Sequence, residues 1–253
     1  MLDGSGLSTG QMARFANWTN LSETTFVLPP STGDADYRVR IFTPVEELPF
    51  AGHPTLGTCH AWLEAGGTPR QPGTIVQECS AGLVTLRRTA DGLAFAAPPV
   101  VRDGPVSDEV LDQITSVLRI PRADIVDASW ADNGPGWVGV LLASADAVLA
   151  VKPGGGDLNI GIVGPYPPGA PAAFEVRGFF PKDGTLIEDP VTGSFNASAA
   201  GWLLRTGRAK APYVASQGTV LGRSGRIHIS ADDDGAIWVA GGTITCVTGQ
   251  VEL

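Results

Sequence analysis

Three residues stand in settings that could move a proton. Glu23 lies in Asn20-Leu21-Ser22-Glu23-Thr24-Thr25-Phe26, just ahead of an apolar run. A carboxyl partly buried at such a place is desolvated, which raises its pKa toward neutrality and lets it both accept and return a proton. A solvated turn glutamate is the alternative. His53 lies in Phe50-Ala51-Gly52-His53-Pro54-Thr55, ahead of a proline suited to the first position of a helix. A helix N-terminus disfavours the imidazolium. A neutral ring there could donate to a substrate oxygen or orient a carboxylate, with Gly52 permitting close backbone approach. Plain helix capping also accounts for it. Asp189, in Glu188-Asp189-Pro190-Val191-Thr192-Gly193-Ser194, is a favoured N-cap residue that needs no further role.

Other reactive types carry less. Cys59 falls inside the expected first-lobe helix and Cys246 in an expected terminal strand, so both read as buried core thiols. Gly154-Gly155-Gly156 reads as a loop, since no strand–GxGxxG–helix unit surrounds it. His60 and His228 offer no metal-ligand spacing, so no metal is expected. Ser194 is not in a G-x-S-x-G nucleophile elbow.

The elements that must position these groups are short. Ser8-Thr9-Gly10-Gln11 predicts a capping box opening a helix that carries Met12, Phe15 and Ala16 on one face. Strands are expected at 23–29, 37–44, 74–88, 92–97, 136–143, 173–180, 226–230, 236–240 and 243–251. Helices are expected from Pro54 to Leu63 with His53 as N-cap, from Ser107, and from Asp189 to Gly207. Residues 98–105 read as a proline-rich linker. The organising feature is an internal repeat. Val39-Arg40-Ile41-Phe42-Thr43-Pro44 leads to Pro54-Thr55-Leu56-Gly57-Thr58, and Val176-Arg177-Gly178-Phe179-Phe180-Pro181 leads to Pro190-Val191-Thr192-Gly193-Ser194. Each copy is a strand, a turn, then P-x-x-G-[TS] opening a helix. Two such helix N-termini would attract carboxylates through their free N–H groups and dipoles. His53 and Asp189 occupy matched places, which points to a shared site.

Bulk properties narrow the classes. Hydrophobic residues make up 43% and charged residues 17%, which suits a compact fold rather than disorder. Gly 33 and Pro 20 favour frequent turns and short strands. With 17 Lys and Arg against 26 acids and a net charge of −9, nucleic acid is not an expected partner. No apolar run spans a bilayer, and Met1–Ser5 shows neither a basic n-region nor an apolar h-region, so neither a signal peptide nor a membrane partner is expected. Three scattered cysteines make no disulfide framework, and a cytoplasmic location is the default.

Asn20–Thr24, Arg40–Pro44, Glu47-Leu48-Pro49-Phe50-Ala51-Gly52-His53-Pro54-Thr55 and Asp189–Ser194 together resemble the PhzF family of phenazine-biosynthesis-type isomerases, as do Gln217-Gly218 and Gly222-Arg223. The resemblance covers nearly the whole chain. It implies an α+β, diaminopimelate-epimerase-like fold of two similar lobes, each a barrel-like, mostly antiparallel sheet around a central helix. The lobes would span 1–99, completed by the strand at 243–253, and 106–242. Related epimerases place one cysteine per lobe at the two helix starts, where this chain has His53 and Asp189. The implied activity is a cofactor-independent proton shift between carbons of a small cyclic amino-carboxylate resembling dihydro-hydroxyanthranilate. Glu23 would carry the proton, assisted by His53, Asp189 and Ser194, with Ser22, Gly52, Thr55 and Gly193 lining the substrate. The implied assembly is a homodimer. The family begins with a strand and a Gly-Asn-Pro segment ahead of the residues matching Leu2–Leu7, which this chain lacks: either the start lies upstream, or the first lobe is incomplete, and an incomplete lobe would leave a strand edge unpaired. A carboxylate-based amino-acid epimerase and a non-catalytic small-acid-binding protein are the alternative readings.

Overall fold

The computed structural model describes residues 1–182 and 184–253, which form two compact units. The first comprises residues 1–96 and 240–253, and the second 97–239.

The first unit begins with α1 (Thr9–Thr19). The expected capping box is present: Ser8 Oγ accepts from the Gln11 N–H and Gln11 Oε1 accepts from the Ser8 N–H. There follow β1 (Thr24–Leu28), β2 (Tyr37–Phe42), β3 (Glu47–Leu48), α2 (Gly52–Glu64), β4 (Thr74–Cys79), β5 (Gly82–Thr89) and β6 (Gly92–Ala96). The strands lie in the order β1-β2-β4-β5-β6, with β3 folded back on β2. Only β2–β4 is parallel, and α2 supplies its crossover. On β2, Tyr37, Val39 and Ile41 point inward while Arg38 and Arg40 face outward, the period-2 alternation of a strand with one buried face. Met12, Ala16, Phe26, Leu28 and Phe42 close the core beneath α1. Each such large side chain contributes about 1.5–3 kcal/mol by burial. The edge that an incomplete first lobe would leave unpaired is partly occupied, because the Val27 N–H donates to Met1 O and the Gly4 N–H to Val27 O.

The second unit contains β7 (Arg102–Pro105), α3 (Asp108–Leu118), β8 (Ile125–Asp132), β9 (Val138–Leu142), α4 (Ala145–Ala150), β10 (Ile160–Pro165), β11 (Phe174–Lys182) and β12 (Thr185–Asp189). It continues with α5 (Gly193–Arg205), β13 (Tyr213–Gln217) and β14 (Gly225–Ala231), and β15 (Ile237–Gly241) ends the run of strands. The order is β15-β14-β13-β11-β10-β9-β8-β7, with β12 folded back on β11. The crossover between parallel β11 and β13 is α5. Its buried face presses aromatic rings onto the sheet at two glycines. A Cβ on Gly161 would lie 2.1 Å from the Phe195 ring, and one on Gly139 2.8 Å from Trp202. A second core, of Ile114, Leu118, Val138, Val140, Ile160, Ile162 and Phe179, lies between α3, α4 and the sheet.

The sequence repeat is therefore a repeat of topology. The series β1, β2, β3, α2, β4, β5 recurs as β10, β11, β12, α5, β13, β14, with the same pairing senses throughout. The mixed, sheet-dominated α+β class stands. Several local expectations do not. The linker at 98–105 contains β7, which pairs with β8. The strand expected over 74–88 divides at Ser80-Ala81 into β4 and β5. Residues 243–253 have no regular structure, and Cys246 is exposed rather than core. Strands β8, β10 and β13 went unforeseen, because Asp127, the glycines of β10 and the short β13 blur their alternation.

Candidate active site

Glu23 immediately precedes β1, in a turn that holds its carboxyl against the unit rather than in water. Its side chain is 17% exposed, and Oε2 is buried without a hydrogen-bond partner. His53 Nδ1 lies 3.6 Å from Oε2, which is ion-pair distance but too long for a hydrogen bond. Burial pushes the Glu23 carboxyl up to about 7. A carboxyl titrating there exists in both forms at neutral pH, the requirement for a group that takes and returns a proton.

His53 is 47% exposed. It is not the helix cap. The helix begins one residue earlier, at Gly52, with Ala51 in the cap position and no side chain capping. That leaves His53 in the first turn, where backbone N–H groups lack intrahelical partners. Ser22 is exposed beside Glu23, and Gly52 is buried. Thr55 is fully buried, and its hydroxyl accepts from Gln77 Nε2 at 3.0 Å, so it belongs to the packing beneath these groups.

In the second unit Asp189 is likewise not an N-cap. It ends β12, paired opposite Gly178, and α5 starts at Gly193 with Thr192 in the cap position. Pro190 disfavours helical geometry in the residue before it, which keeps Asp189 extended. Its Oδ2 accepts from the Thr192 hydroxyl at 2.8 Å. Behind it lies fully buried Gln217 at the end of β13. Gln217 Oε1 accepts from the Thr192 N–H at 3.0 Å and from Asn196 Nδ2 at 2.8 Å. Its Nε2 donates to Thr192 Oγ1 at 2.9 Å and to Asp189 O at 3.1 Å. Gly178 leaves room for this cluster, since a Cβ there would lie 2.5 Å from Thr192 Oγ1.

Gly193 and Ser194 form the first turn of α5. Ser194 Oγ accepts from Trp137 Nε1 at 2.9 Å, and Asn133 Nδ2 donates to Ser194 O at 2.9 Å. An indole N–H can only donate, so the Ser194 hydrogen points elsewhere and is available to an anion. The structure thus gathers Glu23 and His53 in one unit, and Asp189, Gly193 and Ser194 in the other. Trp137, Thr192 and Gln217 were not singled out for these contacts by sequence reasoning. The matching T-x-x-x-N spacing of Thr192 and Asn196 and the Gln217-Gly218 pair were the only signals. Among the described residues no three His, Cys, Asp or Glu side chains gather as a metal site requires.

Comparison with known proteins shows what the chain is similar to. A model of the phenazine biosynthesis-like proteins, PhzC-PhzF, matches residues 1–249. The chain is 35% identical to antisense-enhancing sequence 1 of Schizosaccharomyces pombe, over 98% of this chain and 90% of that protein. It is 32% identical to a trans-2,3-dihydro-3-hydroxyanthranilate isomerase of Pseudomonas fluorescens, over 99% of this chain and 91% of that protein. The crystal structure of a PhzF-family protein of Bacillus anthracis has the same fold, with a TM-score of 0.76 at 22% identity over 95% of this chain and 88% of that one.

Proposed function

The chain belongs to the phenazine biosynthesis-like PhzC-PhzF family of isomerases, and from that premise we propose that it moves one proton between carbons of a small cyclic amino-carboxylate, with Glu23 as the carrier and no cofactor. The Glu23 carboxylate takes a proton from one ring carbon, the double bond shifts, and the same carboxyl returns the proton to another carbon. His53 holds the carboxyl and the substrate in register. Asp189 and Ser194 position the substrate, Ser194 by donating to its carboxylate.

One observation carries the reading: a carboxyl with a buried oxygen, no donor on that oxygen, and a pKa moved to about 7 by desolvation. A turn glutamate with only a structural role has no reason to keep a buried oxygen without a hydrogen-bond donor. The similarity to a protein named for dihydro-hydroxyanthranilate isomerisation makes that compound the first substrate to try. With substrate deuterated at the carbon that loses its proton, the wild type should carry that deuterium to the second ring carbon or release it to water, and Glu23→Gln should do neither within the same time. Turnover by Glu23→Gln at the wild-type rate would overturn the assignment. Binding with neither transfer nor release of the deuterium by the wild type would leave a small-acid-binding protein as the better reading.

A further inference from the structure

Hydrogen-bond polarity in the second unit can be followed without choosing any side-chain orientation. The Thr192 backbone N–H can only donate, so the Gln217 atom facing it at 3.0 Å must be the oxygen. The other end of the amide is then a pure donor, which agrees with its 3.1 Å contact to the carbonyl of Asp189. That same nitrogen faces Thr192 Oγ1 at 2.9 Å, so Oγ1 must accept. The single hydroxyl hydrogen of Thr192 is left to the contact at 2.8 Å with Asp189 Oδ2. Both Gln217 and Thr192 are buried, and no water competes for these groups.

We propose that Gln217 is a positioning residue that makes Thr192 a one-way donor to Asp189, so that Asp189 meets the substrate as a hydrogen-bond acceptor oriented from behind. The ligand chemistry this selects is a donor, the amino or ammonium group of the amino-carboxylate. The first unit uses the same parts differently. Gln77 also donates to a threonine near a helix start, Thr55, but accepts from the Tyr37 hydroxyl, and neither contact ends on a carboxylate. The relay is thus specific to the copy that carries Asp189. Gly218 supports it: a Cβ there would lie 2.7 Å from Pro190 O, so the turn after Gln217 packs directly on the Asp189-Pro190 segment. The assignment of Asp189 to substrate rests on the function proposed above, whereas the relay itself does not.

The test pairs Thr192→Val, which keeps the shape and removes the hydroxyl, with Thr192→Ser, which keeps the hydroxyl. The direct readout is the titration of the Asp189 carboxyl carbon by NMR in the protein without substrate. Glu188, the preceding residue on β12, is held by Arg177 of β11, and Arg223 packs at the Gly218 turn; neither is altered. A hydrogen bond to a charged group contributes on the order of one pH unit or somewhat more. Thr192→Val should raise the Asp189 midpoint by about one unit, Gln217→Met should move it in the same direction by less, and Thr192→Ser should leave it in place. In steady-state assays of dihydro-hydroxyanthranilate, Thr192→Val should raise KM more than it lowers kcat. An unmoved midpoint in Thr192→Val, or an equal shift in the valine and serine variants, would overturn the relay. A moved midpoint in a protein that neither binds nor turns over the amino-carboxylate would keep the relay and sink the assigned reaction.

Discussion

The two copies of the repeat build the same ion pair in different surroundings. On β2, Arg40 forms a two-point clamp on Glu47 of the returning β3, at 2.7 and 2.6 Å, and stacks on Phe42. On β11, Arg177 clamps Glu188 of the returning β12, at 2.9 and 2.8 Å, and stacks on Phe179. The first pair is 23% and 28% exposed and the second 3% and 11%. Arg177 also donates to Val148 O and Val151 O, tying the end of α4 to the hairpin. One local motif thus gives a solvated surface pair in one unit and a buried tie in the other. The carboxylates at the proposed site differ in the opposite sense. Glu23 has a buried oxygen with no donor, while Asp189 has one supplied from behind by Thr192. The lesson is that the role of a charged group follows its donors and its exposure, not its place in the repeat.

The largest expected effect tests the carboxylate contrast. Glu23→Gln removes the proposed proton carrier and should lower kcat by roughly 10²–10⁴-fold, the usual range for a general acid–base group, with substrate affinity kept. Single-turnover assays with a separate binding measurement read both. The next test breaks the buried clamp. Glu188→Gln leaves Arg177 buried without its counter-charge and should cost about 3–5 kcal/mol in urea unfolding. A loss below that of an ordinary surface pair would show that the carbonyls of Val148 and Val151 hold Arg177 unaided.

A third test uses pH. Glu23 keeps its proton to about pH 7 when folded but releases it near 4.5 when unfolded. Between those values the folded state binds more protons, so this group's contribution to stability is complete below 4.5 and is lost as pH rises toward 7. The loss is on the order of 3 kcal/mol at most. Glu23→Gln should flatten that part of the stability–pH curve, and an unchanged slope would mean the carboxyl is not desolvated in solution. The smallest effect is expected at the less buried clamp. Arg40→Met should cost roughly 0–1 kcal/mol, and raised salt should shrink even that. If Arg40→Met and Glu188→Gln destabilise equally, the contrast in burial has no energetic meaning.

Much of the architecture could be read from the chain itself. The V-R-x-F-x-P and P-x-x-G-[TS] repeats announced two similar units, and Ser8, Gln11 and Ser107 marked helix starts that the structure reproduces. These signals are legible because capping and alternation are decided by neighbours within a few residues. The proline rule misplaced the other two starts. Pro54 sits in the third position of α2 rather than the first, and Pro190 lies outside α5, where it ends β12. Proline shows where a helix N–H is not needed, not where a helix must begin.

What the sequence by itself determined is the family, the α+β class and the list of residues able to do chemistry. Only the tertiary structure decided what those residues are. Glu23 is a turn glutamate by pattern, and becomes a neutral-pH acid because distant segments remove water from its carboxyl without supplying a donor. Asp189 looks like a helix cap, and becomes an oriented acceptor because Gln217, on a strand parallel to β11, turns Thr192 toward it. Desolvation and hydrogen-bond polarity depend on atoms brought close in space, and residues far apart along a chain carry no local mark of meeting.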